Sequence, residues 1–232
     1  MATTTPAIKV EDVSRVYAEG TEAETAALTD VSFNIDPGDF VAIIGPSGSG
    51  KSTLLNLIGG LDRPTHGRVL IDGVDISRIP NAELARIRNQ KIGFVFQSFN
   101  LISRLSAVEN VELPLLVTSM PRNEIRKRAL SLLDEFGIKG KANRNPGQMS
   151  GGEQQRVAVA RALATDPLVV LGDEPTGNLD TKSTQVMVDL FTKLNNEMKK
   201  TIVVITHNLD IASKFKRVIS IRDGRLVEIY EN

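Results

Sequence analysis

The chain has no cysteine among its 232 residues. That excludes disulfides, thiolate metal sites and a cysteine nucleophile. It has no excess charge of either sign, because Lys+Arg and Asp+Glu both number 28. A neutral balance argues against nucleic acid as a main partner, since phosphate backbones select basic surfaces. No apolar run nears the ~18 residues that a membrane span needs. The longest are short, such as Leu168-Val169-Val170-Leu171 and Ile202-Val203-Val204-Ile205. Direct insertion into a membrane is therefore not expected. Residues 1–7 lack a basic region followed by an apolar stretch, so no signal peptide is expected and they read as a short mobile tail. No internal repeat or low-complexity linker is visible. The length suits one large domain, or a domain with a subdomain, that buries a sizeable core.

What is present is concentrated at residues 45–52: Gly45-Pro46-Ser47-Gly48-Ser49-Gly50-Lys51-Ser52. This is a complete G-x-x-x-x-G-K-[ST] phosphate-binding loop. The preceding Asp39–Ile44 reads as a short buried strand. The following Ser52–Ile58 reads as a helix that stops at Gly59-Gly60. Gly45, Gly48 and Gly50 let backbone N–H groups turn toward phosphate oxygens, and the helix N-terminus adds partial positive charge. Ser47, Ser49 and Thr53 belong to the same expected nucleotide-binding set. Lys51 is placed for the β- and γ-phosphates, and the Ser52 hydroxyl for Mg²⁺.

The rest of the chain reads as α/β. Residues 7–44 alternate apolar and polar, with breaks at Glu19-Gly20 and Asp36-Pro37-Gly38, and predict antiparallel strands. Asp72-Gly73 between apolar runs predicts a hairpin, and residues 91–97 another strand. Residues 100–165 are mainly helical. Pro121 opens a helix on which Ile125, Ala129, Leu132, Leu133 and Phe136 recur at helical spacing. The run Arg126-Lys127-Arg128 on that helix reads as a solvated face. After residue 165 strands and helices alternate, which predicts a parallel sheet, and Asp223-Gly224 closes a final hairpin. The expected division is a core with a β-subdomain (1–97 and 166–232) and a helical subdomain (98–165).

Two further segments carry chemistry. Ser150-Gly151-Gly152-Glu153-Gln154-Gln155-Arg156 opens an apolar helix. Ser150 and Glu153 make a capping box, which leaves two costly consecutive glycines unexplained unless the backbone must approach a phosphate. The apolar strand Leu168–Leu171 runs into Gly172-Asp173-Glu174. Asp173 is placed to support Mg²⁺, and Glu174 to orient or deprotonate an attacking water.

Together these segments resemble the ATP-binding-cassette ATPases of ABC transporters over nearly the whole chain. The resemblance implies a RecA-like P-loop NTPase core, an N-terminal antiparallel β-subdomain and an inserted α-helical subdomain. Ser150-Gly151-Gly152-Glu153-Gln154 is similar to the family signature, with Met149 where the family usually has Leu. By resemblance, Gln97 is the glutamine loop that links the metal site to the helical part. Asn178-Leu179-Asp180 is the aspartate loop, His207 after the strand Thr201–Thr206 the switch histidine, and Tyr17 the aromatic against adenine. His66 reads as an ordinary loop residue. A narrower likeness, carried by Glu174–Asp180, Phe94–Leu101, Val108–Leu115 and the insert Ala18–Ala27, is to the lipoprotein-release and macrolide-exporter group. In that group closure on ATP is transmitted to an extracytoplasmic region of the permease.

The implied function is ATP hydrolysis with Mg²⁺ that drives a separate integral-membrane permease through a head-to-tail homodimer. The implied location is cytoplasmic, peripheral on the inner face of the membrane. Two other readings stand beside it: a soluble cassette ATPase of DNA repair or translation, and an ATP-binding module without turnover. The apolar segment Phe99–Leu116 is expected to offer a permease helix a groove, with Phe99 and Leu105 among its lining residues.

Overall fold

The computed structural model describes residues 5–232. Residues 1–4 of the expected tail lie outside the described residues. Ala7, the last residue of that tail, is fully buried, and its carbonyl accepts from the Asp72 N–H, so the ordered core starts earlier than expected.

The elements in chain order are β1 (Ile8–Tyr17), β2 (Thr25–Ile35), β3 (Phe40–Ile44), α1 (Lys51–Ile58), β4 (His66–Ile71), β5 (Val74–Asp75), α2 (Asn81–Lys91), β6 (Ile92–Phe96), α3 (Ala107–Glu112), α4 (Arg122–Glu135), α5 (Gly151–Ala162), β7 (Val169–Asp173), α6 (Thr181–Asn196), β8 (Thr201–Ile205), α7 (Leu209–Ala212), β9 (Arg217–Arg222) and β10 (Arg225–Glu231). An antiparallel sheet has the order β2-β1-β4-β5. A second sheet has the order β10-β9-β3-β8-β7-β6 and is parallel except for the hairpin strand β10. His66 is the first residue of β4, paired with Ser14, and not a loop residue.

The parallel strands are apolar throughout because both of their faces are covered. Successive residues of β3 enter different cores. Phe40 and Ala42 pack with the helices α3 to α6, whereas Val41 and Ile43 pack with α1 and the antiparallel sheet. In β7 the same alternation sends Val170 one way and Val169 and Leu171 the other. With both faces packed, the strand ends are what the sheet leaves free.

Helix α2 is absent from the sequence reading, because only Leu84 and Ile87 of its eleven residues are buried and its remaining face is polar. The basic run on α4 is not simply solvated. Arg126 pairs with Glu112 at 3.0 Å, and Arg128 donates to the Leu163 and Ala164 carbonyls at the end of α5; Lys127 stays exposed. The Leu163 carbonyl also accepts from the Asp166 N–H at 3.0 Å, and a cation at this C-terminal end of α5 complements its partial negative charge.

Candidate nucleotide site

Four adjacent parallel strands, β3-β8-β7-β6, end on one edge of the sheet. Each delivers expected site residues just past its C-terminal end. The glycine loop and Lys51 follow β3, His207 follows β8, Asp173 ends β7 with Glu174 next, and Gln97 follows β6. Asp173 lies in register with Phe96 on one side and Ile205 on the other, which brings residues 97, 173 and 207 together from distant parts of the chain. Crevices outside such strand ends are where open α/β sheets bind ligands.

The loop is built around glycine. Gly50 is the N-cap of α1 at φ 98°, and a Cβ there would lie 2.4 Å from the Ala27 carbonyl oxygen. No side chain caps α1 and its first turn has no acidic residue, so its leading N–H groups have no side-chain acceptor. Gly48, also at positive φ, has open space around it. Ser47 and Ser52 are exposed and Thr53 is half-buried. Ser49 is turned inward: its N–H donates to the Pro46 carbonyl, its carbonyl accepts from Gly224, and its hydroxyl lies 3.5 Å from the Lys51 Nζ.

Lys51 is 7% exposed, and its Nζ donates to the carbonyls of Gly45 (2.9 Å) and Pro46 (2.7 Å). Burial pushes its pKa down, while the carboxylates of Glu174 and Asp173 pull it back up. Burial pushes the Asp173 carboxyl up, repulsion from Glu174 adds to that, and Lys51 opposes it. A buried cation and a half-buried carboxyl thus lie near each other, with no ion pair between them among the described residues. The charges await a polyvalent ligand that carries both signs, as a nucleotide phosphate with its cation does.

Glu174 adopts φ 44°, a left-handed conformation that is rare outside glycine. Its Oε1 lies 3.0 Å from the His207 Nδ1, and both line a cavity of about 310 Å³ with Thr176, Thr206 and Asn208. Gln97 is tied to the aspartate loop, since its Nε2 donates to the Asn178 Oδ1 at 3.4 Å and its carbonyl accepts from the Asn178 Nδ2 at 3.2 Å. Asp180 caps α6 by accepting from the Ser183 N–H at 2.7 Å, which holds its carboxyl below the usual range. At the end of β1, the Tyr17 hydroxyl donates to Asp62 (3.0 Å), and the Arg15 guanidinium sits 4.4 Å over the ring. Asp62, absent from the sequence reading, also accepts from Arg15 at 2.9 Å and so fixes both.

Helix α5 begins as expected. Ser150 accepts from the Glu153 N–H, and Glu153 accepts from the Ser150 N–H at 2.9 Å. Lys141 is the main cause that holds the Glu153 carboxyl below its usual range, with Ser150 second. Among the described residues no hydrogen bond joins Ser150, Gly151 or Gly152 to residues 45–53. Gly152 borders a separate small cavity with Arg156, Lys182 and Ser183. Every expected residue except Tyr17 and these three therefore stands on the sheet edge, on the loops that leave it or in the first turn of α1.

For Mg²⁺ the expected donors are the Ser52 hydroxyl, the Gln97 amide and the Asp173 carboxylate, all hard oxygen ligands of the type that the ion prefers. Among the described residues no group of three or more His, Cys, Asp or Glu is arranged to hold a metal by itself. A set with one carboxylate suits an ion that takes its remaining ligands from phosphate and water.

A groove of about 440 Å³ opens elsewhere, lined by Phe94, Phe96, Pro114, Val117, Arg88 and Arg161 among others. Phe99 and Leu105, the expected lining residues, are half-buried and do not line it. Phe99 is instead held near Gly151, while its carbonyl accepts from Arg161 at 2.8 Å.

The chain is similar to known proteins along nearly its whole length. The family described as ABC transporter matches residues 28–177. An uncharacterized ABC transporter ATP-binding protein of Thermotoga maritima is 52% identical over 94% of this chain and 93% of its own length. The lipoprotein-releasing system ATP-binding protein LolD 1 of Rhodopseudomonas palustris is 48% identical over 94% and 97%. The macrolide export ATP-binding/permease protein MacB of Sodalis glossinidius is 47% identical over 97% of this chain but only 34% of its own. A dimeric ATP-binding cassette solved in a post-hydrolysis state with ADP and Pi superposes with TM-score 0.88 and 47% identity, over 97% of this chain and 98% of that one. With the glycine loop, the strand-end carboxylates and this likeness along nearly its full length, the chain belongs to the ABC transporter family.

Proposed function

We propose that the chain binds ATP with Mg²⁺, hydrolyses it, and drives a separate membrane permease through ATP-dependent head-to-tail pairing of two copies. The observation that carries this reading is the convergence on one sheet edge of Lys51, Asp173, Glu174, His207 and Gln97. Gly45 to Thr53 would cradle the phosphates, with Lys51 exchanging a carbonyl for a phosphate oxygen. Tyr17 would stack on the base. Ser52, Asp173 and Gln97 would hold Mg²⁺, which when bound neutralises charge on the phosphate oxygens. Glu174, held by His207, would take up a proton from the attacking water.

The second copy is argued from α5. Its glycines are not needed by anything inside this chain, because a Cβ on Gly151 or Gly152 would meet only ordinary contacts. A surface opened by glycine and edged by the Ser150 hydroxyl suits a phosphate brought by another molecule. Asp180 would act at the same boundary. The dimeric state of that solved relative supports this pairing.

The permease would seat at the apolar groove. Arg88 and Arg161 on its wall donate only to carbonyls, and Val117 on its rim is 75% exposed. An amphipathic helix that carries a carboxylate would satisfy both features. Among the described residues no helix is long and apolar enough to cross a membrane. The membrane link is then made by that partner, from the cytoplasmic side.

The test is Glu174→Gln. Hydrolysis should fall by at least about a hundredfold with ATP affinity kept. Size exclusion should show a dimer in ATP and a monomer in ADP. A variant that stays monomeric at saturating ATP would remove the head-to-tail reading.

A further inference from the structure

Gln155 is fully buried on α5. Its Nε2 donates to the Pro175 carbonyl at 2.8 Å. Its Oε1 is buried and has no partner among the described residues. The orientation is forced, because Pro175 offers only an acceptor there and the amide must turn its N–H₂ toward it. A residue whose second polar atom is left unpaired in a core is a poor choice for stability alone. The neighbouring buried positions of the helix are apolar: Val157, Ala158, Val159 and Ala162.

What Gln155 holds is the residue after Glu174. Glu174 sits at φ 44°, and such a backbone persists only where its surroundings fix it. Three bonds do so. The Glu174 N–H donates to the Ile205 carbonyl at 3.1 Å, the Gly177 N–H donates to the Glu174 carbonyl at 2.9 Å, and Gln155 holds Pro175. The first two come from β8 and from the loop itself. The third is the one that ties the loop to α5, the helix that begins at Ser150.

We infer that Gln155 is a positioning residue for Glu174: its amide fixes the Pro175 carbonyl, thereby keeps the Glu174 carboxylate on His207, and links that carboxylate to the N-terminal end of α5. This rests on the hydrolysis reading for its consequence in turnover, but not for its geometric content. Gln155 touches neither the cavity beside Glu174 nor the glycine loop.

The experiment uses the full chain and Gln155→Met, which keeps volume and removes both polar atoms. Turnover should fall at least about tenfold while the calorimetric ATP affinity stays within about twofold. The melting temperature should fall only slightly, because losing the donor to the Pro175 carbonyl is partly offset by removing the unpaired Oε1. Gln155→Glu supplies a donor only while its buried carboxyl is protonated, so its turnover relative to the parent should decline as pH rises. The chain has two histidines, His66 and His207. Imidazole NMR should therefore show the His207 signals shifted in Gln155→Met and those of His66 unmoved. Unchanged His207 signals, or a variant that loses affinity, stability and turnover together, would overturn the inference. The NMR arm needs no turnover, so a parent chain that fails to hydrolyse ATP would remove the hydrolysis reading and leave this one to stand or fall separately.

Discussion

Helices α1 and α5 both begin in runs of serine and glycine, yet their ends are built oppositely. The α1 end has no side-chain cap, a lysine in its first position and a glycine that no other residue can replace. The α5 end is closed by its own capping box, with Glu153 further held by Lys141. An uncapped N-terminus keeps its N–H groups and its partial positive charge for an external anion. A capped one has already met part of that need from within. One end is thus incomplete without a ligand. The other is complete as a helix and offers only a smooth, glycine-lined surface.

Glycine replacement should separate the two most sharply. Gly50→Ala forces a Cβ into the Ala27 carbonyl at a left-handed φ, and should cost at least ~3 kcal/mol in chemical denaturation. Gly152→Ala meets nothing closer than 3.5 Å and should gain ~0.5–1 kcal/mol as a helical residue. Its effect should appear in function alone, as a loss of ATPase of about a hundredfold, since the added methyl blocks approach to a phosphate. An active Gly152→Ala would mean that α5 does not face nucleotide at all.

A smaller effect probes the charge beside α1. Burial raises the Asp173 carboxyl, so ionising it opposes folding, and the stability of the neutral form is lost as pH rises through the folded value. Asp173→Asn should therefore melt slightly higher than the parent at neutral pH. The difference should vanish in acid, below the ordinary Asp range of about 3.9. A variant that melts lower at neutral pH would show that the attraction of Lys51 outweighs burial.

The contrast between the helix ends also explains what sequence alone can tell. The glycine loop, the hairpins at Asp72-Gly73 and Asp223-Gly224, and the strands of the parallel sheet are legible because local backbone chemistry dictates them. Helix α2 is not, since its two buried residues make no stripe. The pairing of Tyr17 with Asp62 joins positions 45 residues apart, and nothing local marks it. Gln155 carries a sequence signal of its own: a polar side chain in the core-facing row of an otherwise apolar helix face. The lining of the groove is not legible in sequence for a similar reason. Apolar content marked the segment Phe99–Leu116, but which of its residues face inward depends on packing that the sequence does not display.

The strand order has a consequence for how the molecule is made. The antiparallel sheet pairs strands from residues 8 to 75, so it can close soon after that stretch is synthesised. Strand β3 waits far longer, because its two neighbours supply Phe40 with Ile202 and Val41 with Arg217. Closing so long a loop costs entropy before any contact repays it. The glycine loop is encoded in the first quarter of the chain, yet it stands on a strand with no neighbours until the last quarter has emerged. A nascent chain stalled short of β8 should carry a folded N-terminal sheet and be blind to nucleotide.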